Sequence, residues 1–184
     1  MFFVEDKDFL TDQDKEVIEV TQNSDGVSYF YQRSFEPSLY EDLTHTLLCH
    51  VLFFRPEQRD EFNVKSLYNS DYSKVFENML FRFCNKNNIT CTEVIRGAIN
   101  LTYNNGNEKC SPHVDHKDYH KQLIIYLNDP KDKESHTVIM DKDKKNELKR
   151  IVPEKYKGVC FENLPHYQVY PRFGDRVVAI FTFK

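Results

Sequence analysis

The sequence predicts a mainly β, α+β domain: a double-stranded β-helix, or jelly roll, with two or three supporting N-terminal helices. Two observations predict it. From about residue 90 onward the chain is a succession of short, β-branched runs broken by turn residues. No helical period lies between them, which is the pattern of an antiparallel sandwich or barrel. Before that point apolar residues recur at three- and four-residue spacing, as on one side of a helix. A chain of 184 residues fits one domain and buries most of a core without staples. The expected organisation is a single domain over 1–184, with 1–90 as helical support and 91–184 as the β core.

The elements follow in order. Residues 2–4 read as a short strand. Thr11 is placed to cap a helix whose first turn carries Asp12 and Asp14, complementing the helix dipole, and whose apolar side is Val17, Ile18 and Val20. Asn23-Ser24-Asp25-Gly26 is a turn, and Val27 to Tyr31 a strand. Pro37-Ser38 opens a second expected helix, in which Leu43, Leu47, Leu48 and Val51 recur at helical spacing. After a turn-rich stretch, Ser70 or Asp71 caps a third, with Val75, Met79, Leu80 and Phe83 inside and Asn85 to Asn88 ending it. Strands are expected over 91–103, 121–128, 135–140, 149–153, 157–162, 166–170 and 176–183. The mixed-charge run Asp141 to Lys149 reads as a solvated loop, with a substrate-facing lid as its alternative.

Composition sets bounds. Net charge is −4 with acids and bases interspersed, so the basic patch of a nucleic-acid binder is missing. No apolar stretch approaches the ~20 residues needed to span a bilayer, and no secretory leader is visible. The five cysteines (49, 84, 91, 110 and 160) are odd in number and unpatterned. They read as reduced thiols, and the expected setting is cytoplasmic. Oligomeric state leaves no mark on the sequence.

Chemistry concentrates in Ser111-Pro112-His113-Val114-Asp115-His116. Residues i and i+2 of a strand share a face, so His113 and Asp115 aim an imidazole and a carboxylate at one point. His166, just before an apolar C-terminal strand carrying Arg176, is the obvious third donor. Two His and one carboxylate on one side of a metal, with the other side open, form the facial triad of non-haem Fe(II) oxygenases. A bare His-x-Asp is a weak signal, and His116-Lys117-Asp118 is a second match. Cys110, His113, His116 and His120 offer a zinc set, though at no common zinc spacing. His45, His50, His120 and His136 are expected to take no part.

The order of these motifs resembles that of the 2-oxoglutarate-dependent Fe(II) oxygenases, in particular the prolyl-4-hydroxylase-like branch. That family has a Tyr-ending strand, His-x-Asp, a strand ending Tyr-Leu-Asn, a distal His and, about ten residues later, a basic residue. Here the series reads Asn100-Leu101-Thr102-Tyr103, His113-Val114-Asp115, Tyr126-Leu127-Asn128, His166 and Gly174-Asp175-Arg176, over roughly residues 94–184. The resemblance implies that His113, Asp115 and His166 hold Fe(II) and are the catalytic centre. It implies that Arg176 pairs with the distal carboxylate of 2-oxoglutarate, that Tyr126 adds a hydroxyl there, and that Tyr103 lies near the metal end of the cosubstrate. It further implies O2 as co-reactant and hydroxylation of a C–H bond, with a prolyl residue in a peptide as first candidate. A small metabolite or a free amino acid comes next. The rivals are a non-catalytic metal-binding jelly roll and a metal-dependent hydrolase. Two departures stand out. Asp129 to Ser135 replaces a small Gly-rich turn, and Thr182 stands where nucleic-acid demethylases of the superfamily carry a second Arg.

Overall fold

The computed structural model describes residues 2–23, 27–32, 46–61, 63–64 and 66–184. Among the described residues ten strands form two antiparallel sheets. They are β1 (Phe3–Asp6), β2 (Phe30–Gln32), β3 (Leu47–Phe53), β4 (Val94–Tyr103), β5 (Lys121–Tyr126), β6 (Thr137–Met140), β7 (Glu147–Ile151), β8 (Gly158–Glu162), β9 (His166–Gln168) and β10 (Asp175–Phe183). The major sheet runs β1-β8-β5-β10-β4-β3-β2 and the minor one β7-β6-β9. Two antiparallel sheets face each other, and helices cover one side, as expected for a jelly roll.

Alternation along the central strands creates two cores. Leu123 and Ile125 of β5, Leu127 just after it, and Val177, Ala179, Phe181 and Phe183 of β10 point outward. There they meet Ile18 of α1 (Asp12–Asn23) and Phe76, Met79, Leu80 and Phe83 of α3 (Ser73–Lys86). Their neighbours Ile124, Tyr126 and Val178 point inward, against Ile139, Val159 and Phe161. The i, i+2 rule thus gives one strand pair both a helix-facing apolar side and a cavity-facing side.

Helix α1 begins as its sequence suggests. The Thr11 hydroxyl accepts from the Asp14 amide at 3.1 Å, and the Asp14 carboxylate accepts the Thr11 amide at 2.9 Å, a reciprocal cap. Helix α3 has the expected inner face, but neither Ser70 nor Asp71 caps it: Tyr72 precedes the helix and makes no side-chain cap. The Ser70 hydroxyl accepts instead from the Tyr72 amide at 3.2 Å, ahead of the helix.

The second expected helix needs correction. Its start at Pro37-Ser38, Leu43, and the turn at 24–26 lie outside the described residues, but Leu47 to Phe53 is strand β3. Leu47, Cys49 and Val51 pack on Ala98, while Leu52 and Phe53 enter the helix-side core. A strand buried on both faces places apolar residues at every spacing, helical spacing included. A short helix, α2 (Pro56–Glu61), was invisible because it buries no residue and shows no apolar period. It has Pro at its first position, and the Gln58 side chain accepts the Arg55 amide at 3.1 Å. The division at residue 90 is corrected too, since β1, β2 and β3 all belong to the major sheet. The run Asp141 to Lys149 is a tight hairpin whose last three residues are already β7. Asp141 accepts from the Lys145 amide at 2.8 Å and from the Asn146 side chain at 2.6 Å.

Gly97 of β4 is a close-approach position. A Cβ there would lie 2.2 Å from the Phe53 ring. Gly97→Ala should therefore lose about 1–3 kcal/mol through overpacking. A denaturant midpoint equal to wild type would contradict that packing.

Candidate active site

His113 and His166 face each other as an isolated antiparallel bridge between the segment before β5 and β9. Each amide donates to the other's carbonyl, at 3.0 and 2.9 Å. Asp115 lies in a bend two residues on, so the pair is set by this bridge and bend rather than by a regular strand. His113 Nε2 is 3.8 Å from Asp115 Oδ1, and donor atoms of His113, Asp115 and His166 all lie within 4.8 Å of one another. Among the described residues this is the group of three or more metal donors that the fold assembles.

The rings are aimed by hydrogen bonds at their far edges. His113 Nδ1 donates to the Ser111 carbonyl at 3.0 Å, and His166 Nδ1 to the Leu164 carbonyl at 3.1 Å. With Nδ1 held as a donor, each ring in its neutral form turns an Nε2 lone pair inward, the arrangement a metal-ligating histidine needs. Asp115 Oδ2 is buried without a hydrogen-bond partner. An orphaned carboxylate oxygen beside two inward lone pairs fits a divalent cation.

Electrostatics agree with that assignment. Burial alone would push the Asp115 carboxyl up, but Arg96, then His166, His113 and Arg55 outweigh it and hold it well below the usual carboxylate range. Arg96 is itself buried, with Nη1 3.6 Å from Asp115 Oδ1. Burial would lower His113, but its hydrogen bond to Cys110 and the Asp115 charge raise it to about 9. Burial, then the neighbouring His113, takes His166 down to about 4.

A pH dependence follows. A metal needs both imidazoles neutral, so between pH values of about 4 and about 9 one proton leaves His113 for each ion bound. Apparent Mn(II) affinity should fall roughly tenfold for each unit of acidification in that window. The window opens well above the free imidazole value of ~6.5. Calorimetry in two buffers about two pH units apart should show roughly 100-fold; equal affinities would contradict the site.

Arg176 enters the same cavity from the head of β10. It is only 2% exposed, and no carboxylate among the described residues pairs with it. Nη1 donates to Gln168 Oε1 at 2.8 Å and Nη2 to Thr137 Oγ1 at 2.6 Å, both neutral acceptors. Nε has no partner. Its guanidinium sits 5.3 Å over the Tyr126 ring, and the Tyr126 hydroxyl donates to the same Thr137 Oγ1 at 2.9 Å. A desolvated cation met only by neutral groups is costly unless an anion joins it. Val178, Ile180 and Thr182 continue that face, as alternation requires.

Tyr103 is corrected. Strand β4 pairs Tyr103 with Asp175 and Thr102 with Arg176, so Thr102 shares the cavity face and Tyr103 the opposite one. Tyr103 is 40% exposed and does not line the cavity. Asn100 of the same strand does, with its Oδ1 buried and unpartnered. Gln122 of β5 is a second buried amide in the lining. Neither residue type in isolation signals a site; only a buried side-chain oxygen without a partner, Oδ1 of Asn100 and Oε1 of Gln122, singles them out. The rival sets are not assembled. His116 Nε2 is engaged by Thr182 Oγ1 at 2.7 Å, and His120 Nδ1 by the Asp118 carbonyl at 2.9 Å. Cys110 Sγ accepts the Gln168 amide.

No family model and no curated protein matches the sequence. Solved structures do match. A Burkholderia pseudomallei oxidoreductase of the 2OG-Fe(II) oxygenase family is similar over 99% of this chain and 84% of its own, with TM-score 0.71 and 13% identity. A Pseudomonas putida prolyl-4-hydroxylase is similar over 99% and 91%, with TM-score 0.57 and 12% identity. A Trichoplax adhaerens prolyl hydroxylase, solved with a hypoxia inducible factor peptide fragment, is similar over 98% and 83%, with TM-score 0.58 and 14% identity. The fold is that of the 2-oxoglutarate- and Fe(II)-dependent oxygenases.

Proposed function

We propose that this protein is an Fe(II)- and 2-oxoglutarate-dependent dioxygenase that hydroxylates a C–H bond, and that its substrate is a peptide, at a prolyl residue. One observation carries the reading. A two-histidine, one-carboxylate cluster and a buried arginine without an anion open into the same cavity. A metal site alone suits many proteins, and a buried arginine alone is a folding cost. Together they match a small dianion that ligates the metal at one end and needs a cation at the other.

His113, Asp115 and His166 would hold the iron through two nitrogens and one oxygen, a donor set that suits Fe(II) better than a thiolate-bearing zinc site does. The chemistry such a centre would supply, with 2-oxoglutarate and O2, is oxidation of a C–H bond. The remaining work belongs to the chain. Arg176 binds the distal carboxylate with its guanidinium fork, and Thr137 and Gln168 fix that fork's plane. Ile124 and Ile180 line the intervening wall and exclude water, which strengthens the charge pairing. Thr182, tied to His116, offers no second cation of the kind the nucleic-acid demethylases use. The peptide assignment draws on the prolyl hydroxylases among the similar structures.

The test is mass spectrometry of proline-containing peptides and of free amino acids after incubation with protein, Fe(II), 2-oxoglutarate and air. Gain of one oxygen atom by a peptide is expected. Gain confined to free amino acids would overturn the peptide assignment, and no gain alongside no succinate would leave a binding protein.

A further inference from the structure

Gln122 is 98% shielded from solvent, lines the cavity, and lies with its side-chain nitrogen 3.3 Å from His166 Nε2. The direction of that contact is fixed by its surroundings. His166 Nδ1 donates to the Leu164 carbonyl, so the neutral ring has only a lone pair at Nε2. The amide end facing it must therefore be the NH2 group, which puts Oε1 at the other end. Oε1 has no hydrogen-bond partner. A buried carbonyl oxygen left unpaired is unfavourable, and here it has a second meaning: nothing anchors that end of the amide. Among the described residues the Gln122 side chain has one hydrogen bond, to the lone pair that the proposed metal would take.

We propose that Gln122 is a positioning residue that exchanges partners on metal binding. Without metal, its NH2 group caps the His166 ligand nitrogen. When a divalent cation takes that lone pair, the amide loses its acceptor, turns, and donates to a carboxylate oxygen of the cosubstrate beside the metal. This assignment rests on the dioxygenase reading above and adds to it a device in the chain itself. The cap keeps the His166 lone pair satisfied in the metal-free protein at the expense of some metal affinity, and the released donors then favour a carboxylate ligand. The consequence is a pair of effects of opposite sign. Removing the amide should help the metal and hinder the cosubstrate, whereas simple structural damage would weaken both.

The experiment is an oxygen-free titration of Mn(II) into the protein, followed by 2-oxoglutarate into the Mn(II)-loaded form. It compares wild type, Gln122→Leu and Gln122→Asn, with circular dichroism to confirm folding. The Asn variant keeps an amide but is one methylene too short to reach His166. In both variants Mn(II) should bind about two- to tenfold more tightly, the worth of one neutral hydrogen bond, and 2-oxoglutarate about two- to tenfold more weakly. Unchanged or weaker Mn(II) binding in a folded variant would overturn the partner exchange while leaving the metal site intact. Failure of wild type itself to bind Mn(II) would overturn the dioxygenase reading as well.

Discussion

Asp115→Ala should cost the protein its metal. Loss of a residue that only supports a ligand typically lowers affinity 10- to 100-fold, so loss of the one anionic ligand should exceed about 100-fold. The carboxylate is doubly committed. Its Oδ1 faces His113 and Arg96, its Oδ2 has no partner, and the surrounding cations hold it ionised. Calorimetric titration with Mn(II) gives the measurement. His116→Ala, which removes the neighbouring imidazole bound to Thr182, should leave affinity close to wild type. The reverse order, with His116→Ala the damaging change, would move the metal to the rival His116-Lys117-Asp118 pair.

Arg176→Ala should leave the metal and lose the cosubstrate. Truncating one partner of a buried charge pair costs ~2–5 kcal/mol, or roughly 30-fold to several-thousand-fold in affinity. The figure applies here because Arg176 is almost wholly shielded and its present partners, Gln168 and Thr137, are neutral. Arg176→Lys should recover part of the loss, since an ammonium has neither the fork nor its plane. Tyr126→Phe should matter less, about 0.5–1.5 kcal/mol, because the hydroxyl already donates to Thr137. Titration of 2-oxoglutarate into Mn(II)-loaded protein without oxygen ranks the three. Equal binding by wild type and Arg176→Ala would remove the proposed anion site.

Which parts of this site were legible in the sequence follows from the range of the forces involved. His113 and Asp115 are two residues apart, so any extended or bent backbone keeps them near one another, and the order of the later motifs set them apart from His116-Lys117-Asp118. Arg176 was legible because a charge at the head of Val178, Ile180 and Thr182 contradicts its own strand. Tyr103 was not, because its facing depends on the β4–β10 register, which puts Thr102 rather than Tyr103 beside Arg176. A shift of one residue in strand register turns every side chain over. Asn100 and Gln122 carry no spacing signal, and their place emerges only from unpartnered burial. Strand β3 was hidden for a different reason: the neighbours that decide its state, Ala98 on one side and the helix-side core on the other, are remote in sequence.

Iron and 2-oxoglutarate in this cavity are proposed to carry out an oxidation, and decarboxylation of the cosubstrate reports it. The most direct measurement is release of labelled CO2 from 2-oxoglutarate radiolabelled in the carboxylate next to its keto group. It is made with Fe(II) and air, for wild type and for Asp115→Ala. Fe(II)-dependent release by wild type is expected, and none above background by the variant. No release by wild type under conditions where both Mn(II) and 2-oxoglutarate are shown to bind would contradict it, and would leave a binding protein with the fold of an oxygenase.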